Sequence, residues 1–251
     1  MIAFRRVAIV LVYLSAFCPQ EPPPSTQEST AKIWVGRYRE IEEYLRTAEC
    51  VSLQGSDPRK AMRCTLRPGG PVARLAWRSL PPGLYRGFWE SYKTEIAAYE
   101  LDKLLKMDMV PPTVERQLDG HYGSAQLWLE GILGVNAEDR PGDSKRDAWE
   151  NQIVRMRMFD ALIGNRDRSL GNMLRDATWN LFLIDHSRAF GVATELPLKL
   201  SRIDRAYWAR IERLTREELD TALRAWLDEG QIKAILDRRE KMKADISLLP
   251  K

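Results

Sequence analysis

The sequence has few of the residues that build common metal and nucleotide sites. Among 251 residues there are only two histidines, His121 and His186, which excludes a metal centre built from several imidazole ligands. The loop between the first two predicted strands has a single glycine, Gly55, and lacks a G-x-G-x-x-G pattern, so it gives no independent sign of nucleotide binding. The chain also has no internal repeat.

The excess of positive over negative charge is small as well. The net charge of +4 is too small to indicate nucleic acid or an anionic membrane as a partner, and no basic stripe with interleaved aromatics occurs. The hydrophobic fraction of 44% and the length of 251 residues suit one domain of roughly 220 residues with a substantial core.

The N-terminus has the layout of a secretory signal peptide. Arg5 and Arg6 precede an apolar run, Val7–Phe17, that is too short to predict a membrane span. The start of a buried helix is the alternative. Residues 19–30 are proline-rich and polar, which is typical of a flexible linker. We therefore expect residues 1–18 to be removed and the protein to be exported, periplasmic or secreted, without a transmembrane anchor after processing.

The cysteines agree with either of two interpretations. Cys18 lies at the end of the predicted signal peptide, which leaves Cys50 and Cys64 in the mature chain. An oxidising compartment would permit a disulfide between them, and two buried free thiols are the alternative.

The most informative segment runs from Phe159 to Phe190 and reads FDALIGNRDRSLGNMLRDATWNLFLIDHSRAF. Asp167 precedes Asn172 by five positions, and Asp185 follows a predicted pair of short strands. Phosphoryl transfer needs a proton acceptor near the attacking hydroxyl and oxygen ligands for magnesium. These spacings indicate Asp167 as the acceptor and the other two as ligands, whereas each aspartate alone would suit an ion pair or a turn.

Apolar residues recur at helical spacing at the start of this segment and near the N-terminus. They predict one helix from about Asp147 to Gly164 and another over Lys32–Thr47. Two further helices are predicted near the C-terminus, the first opened by the capping-box pair Thr215 and Glu218 and the second separated from it by a break at Gly230.

Two motifs resemble the catalytic and metal-binding segments of atypical kinases: D-R-x-x-x-N at residues 167–172 and I-D-H-S-R-A-F at residues 184–190. The resemblance is strongest to secretory-pathway kinases of the Fam-twenty and four-jointed type, and more distant to phosphoinositide and HipA-type kinases. The segment Glu95–Thr113 also resembles the helix of such kinases that carries an ion-pairing glutamate.

This resemblance implies an α+β chain with the two-lobed protein-kinase-like fold. The kinase-like domain would span residues 31–251. It would have a small mixed lobe at about residues 48–132 and a mainly helical large lobe at about residues 133–251.

The resemblance also implies residue roles. Asp167 would be the catalytic base, Asn172 and Asp185 would bind magnesium or manganese, and Glu95 would position a phosphate-binding cation. The cation itself departs from the pattern, because Arg78 stands where these kinases have lysine on a small-lobe strand. An arginine can hold a phosphate through two donors, but its planar head does not replace a compact ammonium.

Two lysines are alternative sources of the ammonium. Lys60 lies in G-S-D-P-R-K, in the loop expected to cover the phosphates, and we count it among the candidate nucleotide-binding residues. Lys93 is a poorer candidate because it lies two residues before Glu95 and should face away from it.

The expected function is therefore an exported ATP- and magnesium-dependent kinase that transfers a phosphoryl group to a hydroxyl of a protein, sugar or lipid. Three alternatives stay open. The chain could be a catalytically weak pseudokinase that binds nucleotide, a transferase of another nucleotide group such as AMP, or a non-enzymatic exported interaction domain.

Overall fold

Residues 32–249 are described by the computed structural model, and the predicted signal peptide and linker lie outside them. Over this range the chain forms the α+β, two-lobed structure that the sequence predicted. None of the helices within it combines the length and apolar composition that a membrane crossing requires.

The small lobe contains seven strands. They are β1 (Cys50–Gln54), β2 (Met62–Leu66), β3 (Arg74–Arg78), β4 (Gly83–Tyr85), β5 (Phe88–Glu90), β6 (Thr113–Leu118) and β7 (His121–Leu127). Five of them form one antiparallel sheet in the order β1-β2-β3-β7-β6, and β4 pairs with β5 in a separate hairpin.

Strand β3 shows how the sheet aims a site residue. Side chains alternate between the faces of a strand, and Leu75 and Trp77 are buried in the small-lobe core. Arg74 and Arg78 consequently face the other side of the sheet. The last residue of β3 is thus directed away from the apolar core.

Helix α1 (Tyr38–Thr47) covers the apolar face of the sheet through Ile41 and Leu45. It begins six residues later than the predicted start at Lys32, because residues 32–36 form turns and Gly36 takes a left-handed φ of 80°.

Helix α2 (Tyr92–Leu105) lies between the sheet and the large lobe. The hydroxyl of Ser91 caps its start by accepting the N–H of Lys93 at 3.0 Å. Ala97 and Leu101 are buried in the same apolar cluster as the large-lobe helices. The helix therefore contacts both lobes.

The turn after α2 is organised by a buried carboxylate. Asp102 is 2% exposed and accepts three backbone N–H groups, from Asp108, Met109 and Val110, at 2.8–2.9 Å. Burial raises the pKa of Asp102 to about 7, although the three N–H donors favour its ionised form. The carbonyl of Met109 then accepts the N–H of Leu183, so this turn supports the strand that leads to Asp185.

The large lobe contains three short strands and four helices. They are β8 (Leu133–Gly134), α3 (Asp143–Ile163), β9 (Met173–Arg175), β10 (Leu181–Leu183), α4 (Arg205–Glu212), α5 (Arg216–Leu223) and α6 (Glu229–Ser247). The strands pair antiparallel in the order β10-β9-β8, and β9 with β10 forms the predicted hairpin before Asp185.

Helix α3 ends where the sequence predicted. Gly164 terminates it with a φ of 68°, and a Cβ at this position would lie 3.0 Å from the guanidinium of Arg238. Arg238 is fully buried and donates to the carbonyls of Leu162, Gly191 and Ala193 at 2.7–2.8 Å. This arginine fixes the end of α3, from which the next loop departs.

The C-terminal helices agree with the sequence in one respect and differ in another. The capping box of Thr215 and Glu218 is present at the start of α5. The predicted break at Gly230 is wrong, because α6 begins at Glu229. Asp228 and Gln231 form a second capping box there, which places the glycine inside the first helical turn.

Cys50 and Cys64 form a disulfide, so the alternative of two free thiols does not apply. Their Cα atoms are 5.8 Å apart, and the bond joins β1 to β2. Cys50 is the first residue of β1 and Cys64 lies in the middle of β2, so the cross-link joins the part of the strand pair that lies away from the β1–β2 loop.

Candidate active site

Four segments of the chain meet at one place: the end of β3, the first turns of α2, and the two loops that flank the β9–β10 hairpin. Arg78 connects the first two of these segments to the loop after the hairpin. Its Nη1 lies 2.8 Å from Oδ1 of Asp185 and 3.3 Å from Oε1 of Glu95. Only 19% of the arginine side chain and 6% of the Glu95 side chain are exposed, which limits screening by water and salt. The structure thus brings together three site residues predicted from sequence.

Asp185 is held in an uncommon backbone conformation at the end of β10, with a φ of 55°. Its Oδ1 also accepts the hydroxyl of Ser187 at 2.9 Å. Burial on its own would raise the pKa of Asp185, but the charge and hydrogen bond of Arg78, together with Ser187, lower it below the ordinary value. The carboxylate is consequently ionised at neutral pH, as a metal ligand must be.

Asp167 lies in the loop after α3, and two asparagines hold its backbone. Its N–H donates to Oδ1 of Asn165 at 3.0 Å, and its carbonyl accepts from Nδ2 of Asn172 at 3.0 Å. The carboxylate is 43% exposed, and its Oδ2 lies 3.2 Å from Nη1 of Arg188. The candidate base therefore has a fixed backbone and a carboxylate that an acceptor can reach.

Asn172 lies beside the segment that leads from β10 to Asp185, because the N–H of Ile184 donates to the Asn172 carbonyl at 3.2 Å. The amide nitrogen of Asn172 donates to the Asp167 carbonyl, so the amide oxygen is the atom that a metal could use. The two predicted metal ligands are thus brought to adjacent positions.

Arg168 connects the loop of Asp167 to the loop of Asp185. Its Nε and Nη2 contact both oxygens of Asp160 at 3.0 Å, and Asp160 is 1% exposed. Its Nη1 donates to the carbonyls of Asn172 and Ile184, each at 2.9 Å. Sequence reasoning placed this arginine in a motif but gave it no partner.

His186 completes the connection between the two loops. Its Nε2 lies 2.9 Å from Nη2 of Arg168, and because arginine only donates, Nε2 must accept. The proton of the neutral imidazole is then on Nδ1, which faces Oε2 of Glu95 at 3.6 Å. The backbone N–H of His186 donates to the same Glu95 oxygen at 2.8 Å.

Two further residues at the site were missed from the sequence. Arg188 contacts Asp167 and also donates through Nε to Oε1 of Glu90 at 2.8 Å. Arg188 belongs to the I-D-H-S-R-A-F motif, so the motif itself was the available signal. Glu90 directly precedes the helix cap Ser91, but nothing in its sequence neighbourhood indicates a partner 98 positions away.

Lys60 is not brought into the carboxylate cluster. It is exposed, in the turn between β1 and β2. The neighbouring carbonyl of Arg59 accepts from Nε of Arg78 at 2.7 Å, and the N–H of Ser79 donates to the carbonyl of Pro58. The loop therefore lies over the end of β3 and positions Lys60 at its rim. Lys93 likewise makes no ion pair with Glu95 in the described structure.

The donor atoms present suit a magnesium or manganese ion that is shared with a phosphate. No group of three or more His, Cys, Asp or Glu side chains that could hold a metal occurs within residues 32–249. Asp185 and Asn172 offer one carboxylate and one amide oxygen, and both are hard ligands. Magnesium is commonly held by one or two carboxylates together with substrate phosphates, so this donor set fits.

Comparisons with known proteins give no match by sequence. No family model and no curated protein matches the chain significantly. Solved structures do match. The chain shares 15% identity and a TM-score of 0.59 with the Golgi casein kinase with Mn and ADP bound, covering 83% of this chain and 75% of that one.

Two other solved structures match over a similar extent of this chain. A structure of hydra Fam20 with sugar gives a TM-score of 0.61 at 15% identity and covers 84% of this chain and 88% of that one. The Helicobacter pylori proinflammatory kinase CtkA gives 0.52 at 10% identity and covers 82% and 97%. Because these identities are low, the likeness concerns the fold. The chain therefore has the two-lobed fold of the atypical kinases that resemble Fam20, as its two motifs predicted.

Proposed function

We propose that this protein is an ATP- and magnesium-dependent kinase that transfers the γ-phosphoryl group to a hydroxyl acceptor. The observation that carries the proposal is the contact of Arg78 with both Glu95 and Asp185, beside the loop of Asp167. A strand cation, a helix carboxylate and a carboxylate at a strand end are the parts that hold a metal-bound triphosphate in kinases.

The nucleotide would lie between the β1–β2 loop and the end of β10. Arg78 would contact its phosphates, Glu95 would hold the arginine, and Lys60 at the loop rim would supply a second cation. The Golgi casein kinase, whose fold is similar, has a solved structure with Mn and ADP bound, which supports the use of a nucleotide and a divalent metal.

The metal would be held by Asp185 and Asn172, with manganese as an alternative to magnesium. When bound, it would neutralise charge that develops on the phosphate oxygens. Ser187 and Arg78 orient the Asp185 carboxylate, and Asp167 orients the Asn172 amide.

Asp167 would act as the general base. The acceptor oxygen attacks the γ-phosphorus as its proton passes to the Asp167 carboxylate. The bond from the γ-phosphorus to the bridging oxygen breaks, and ADP leaves with that oxygen. The backbone bonds of Asn165 and Asn172 hold the base in place during this step.

We further propose that the protein works outside the cytoplasm, periplasmic or secreted, on a protein, sugar or lipid acceptor. The disulfide between Cys50 and Cys64 supports an oxidising compartment. The lobe boundaries remain those proposed above, with the kinase-like domain at residues 31–251.

The test of catalysis is the variant Asp167→Ala. Loss of general-base catalysis should lower phosphoryl transfer by about two to four orders of magnitude, with ATP affinity little changed. Transfer is measured as ADP formation and affinity by titration calorimetry. An Asp167→Ala enzyme as active as the wild type would remove the residue from the reaction.

The test of metal binding is the variant Asp185→Asn, which should abolish metal-dependent nucleotide binding and leave the circular dichroism spectrum unchanged. Unchanged affinity for Mg-ATP would exclude Asp185 as the ligand.

A wild type that binds no nucleotide would favour the non-enzymatic interaction domain. Mass spectrometry of any modified product distinguishes phosphoryl from AMP transfer.

A pseudokinase is the second candidate, and one observation favours it. The same Nη1 atom of Arg78 contacts both carboxylates, so the arginine occupies one oxygen of the proposed metal ligand Asp185. Such a protein would bind nucleotide and turn it over poorly. Measurable nucleotide binding without ADP formation in the wild type, together with a gain of activity in Arg78→Lys, would identify it.

A further inference from the structure

We propose that Arg188 is a positioning residue that couples the catalytic base to the start of helix α2. The role rests on the proposed function, because it concerns the carboxylate of Asp167. The nearest alternative role for Arg188 is a solvated surface ion pair, which would contribute little.

The contacts of Arg188 exceed those of a simple surface pair. Its Nη1 lies 3.2 Å from Oδ2 of Asp167, and its Nε donates to Oε1 of Glu90 at 2.8 Å. Its guanidinium carbon lies 4.4 Å from the centre of the Phe88 ring, within range of a cation–π contact. Three carboxylates raise the pKa of Arg188: Glu90 foremost through its hydrogen bond, then Asp167 and Asp185 through their charges.

The two carboxylate partners differ in burial. The Glu90 side chain is only 10% exposed, whereas the Asp167 side chain is 43% exposed. The arginine therefore connects a buried carboxylate to one that is partly exposed to solvent. A positioning residue needs such an anchor on the side away from the group that it orients.

One of the two faces of the β4–β5 hairpin lies against Arg188. Phe88 and Glu90 are two positions apart and so lie on the same face, while Trp89 lies on the opposite face, paired across the hairpin with Leu84. Phe88 and Trp89 are both 53% exposed, but only the Phe88 ring lies against the guanidinium. The two aromatic residues are therefore a matched pair for experiment.

Glu90 leads directly into α2. The next residue, Ser91, caps the helix through its hydroxyl and donates its backbone N–H to the carbonyl of Ser187 at 3.1 Å. Glu95, which holds Arg78, lies in the first turn of the same helix. An ion pair, a hydrogen bond and the backbone at the start of α2 thus connect the base to the residue that holds the phosphate-binding cation.

This connection would affect how the Asp167 carboxylate is oriented. A base must lie within hydrogen-bond distance of the proton that it removes. By contacting Oδ2 of Asp167, Arg188 restricts the carboxylate rotamer and leaves Oδ1 for the acceptor. A displacement of α2 would move Glu90 and release Arg188, so the base would be correctly oriented only when Glu95 is in place.

The experiment compares kcat with KM for ATP, measured as ADP formation with water as the hydroxyl acceptor. Arg188→Ala should lower kcat by about 10- to 100-fold with KM for ATP little changed, because the base is misplaced and the nucleotide site is not. Arg188→Lys should recover part of kcat, since it keeps the charge but cannot contact both carboxylates with a planar head. Phe88→Leu should lower kcat by a smaller factor, and the control Trp89→Leu should not change it.

Hydrogen exchange provides a second readout that does not need turnover. Arg188→Ala should raise the exchange of residues 83–90 and of residues 165–172 together, and Trp89→Leu should leave residues 165–172 unchanged. An active wild type with equal kcat in Arg188→Ala would overturn this role and leave the kinase function standing. A wild type that binds no nucleotide would overturn the proposed function and this role with it.

Discussion

Two arginines connect the segments of the site, and their surroundings differ. Arg168 has an 8% exposed side chain and contacts Asp160, which is 1% exposed, through both carboxylate oxygens. Its other donors go to two carbonyls and to His186. Arg78 has a 19% exposed side chain and places a single nitrogen between two carboxylates, one of which, Asp185, is 36% exposed.

The difference separates a structural network from one that can exchange partners. All three guanidinium nitrogens of Arg168 are paired within the protein, so a ligand could reach the arginine only by breaking buried bonds. At Arg78, by contrast, a metal would compete with the arginine for the Asp185 carboxylate, and a phosphate would compete with the carboxylates for the arginine. We therefore expect the Arg168 network to determine stability and the Arg78 contacts to determine nucleotide binding.

The largest expected effect tests the first half of this comparison. Arg168→Met leaves the Asp160 carboxylate buried without its partner, which should lower the free energy of unfolding by about 3–5 kcal/mol. Urea denaturation followed by circular dichroism measures it. The control is Arg166→Met, since Arg166 is exposed and donates only to the carbonyl of Glu195, and it should change stability by less than about 0.5 kcal/mol.

A double variant sharpens the assignment. Asp160→Asn combined with Arg168→Met removes both charges, so it should be more stable than Arg168→Met alone. If Arg168→Met and Arg166→Met were equally stable, the Arg168 network would not be structural and the comparison would fail.

The next largest effect tests whether the Arg78 contacts determine nucleotide binding. Arg78→Ala should weaken nucleotide binding by about 10- to 100-fold with the fold intact, because hydrogen bonds to charged groups contribute about 1.5–3 kcal/mol. Calorimetric titration with a non-hydrolysable ATP analogue measures it. Arg74→Ala is the matched control, because Arg74 lies on the same strand and pairs with Glu130 outside the site.

Arg78→Lys should retain or improve activity, since it restores the cation that the resembling kinases carry at this position. A loss of nucleotide affinity as large as that of Arg78→Ala would show that the planar guanidinium is needed. Equal affinities of the wild type, Arg78→Ala and Arg74→Ala would show that Arg78 does not contact the phosphates.

The sequence predicted those parts of the fold that depend on local signals. The stop of α3 at Gly164 follows from a residue that tolerates a positive φ, and the hairpin before Asp185 follows from a turn between two apolar runs. The start of α1 was misplaced because the apolar spacing continues through the turn at residues 32–36, where Gly36 interrupts the helix.

The site was predictable only in part, for a physical reason. Motif spacing identifies side chains of suitable chemistry, but ion pairs form between segments that the fold brings together. The partners of Arg168 and Arg188 depend on where α3 and the β4–β5 hairpin lie, and no local pattern records that. Lys60 shows the converse, because its loop reaches the site while its side chain lies at the rim.

The smallest expected effect is a change in the stability of the fold at low pH. Because Arg78 and Ser187 lower the pKa of Asp185, the ionised carboxylate stabilises the fold at pH values above its unfolded pKa of about 4, and this contribution is lost as the pH falls through the lower folded pKa. Urea denaturation of the wild type and Asp185→Asn between about pH 3 and pH 6 measures the difference. The stability difference should shrink on acidification by less than about 1 kcal/mol, because the Asp185 side chain is 36% exposed and water screens the pair. A parallel decline in both proteins would show that the contact with Arg78 does not stabilise the fold. A larger change would mean that the pair of Arg78 and Asp185 is as well shielded from water as the pair of Arg168 and Asp160.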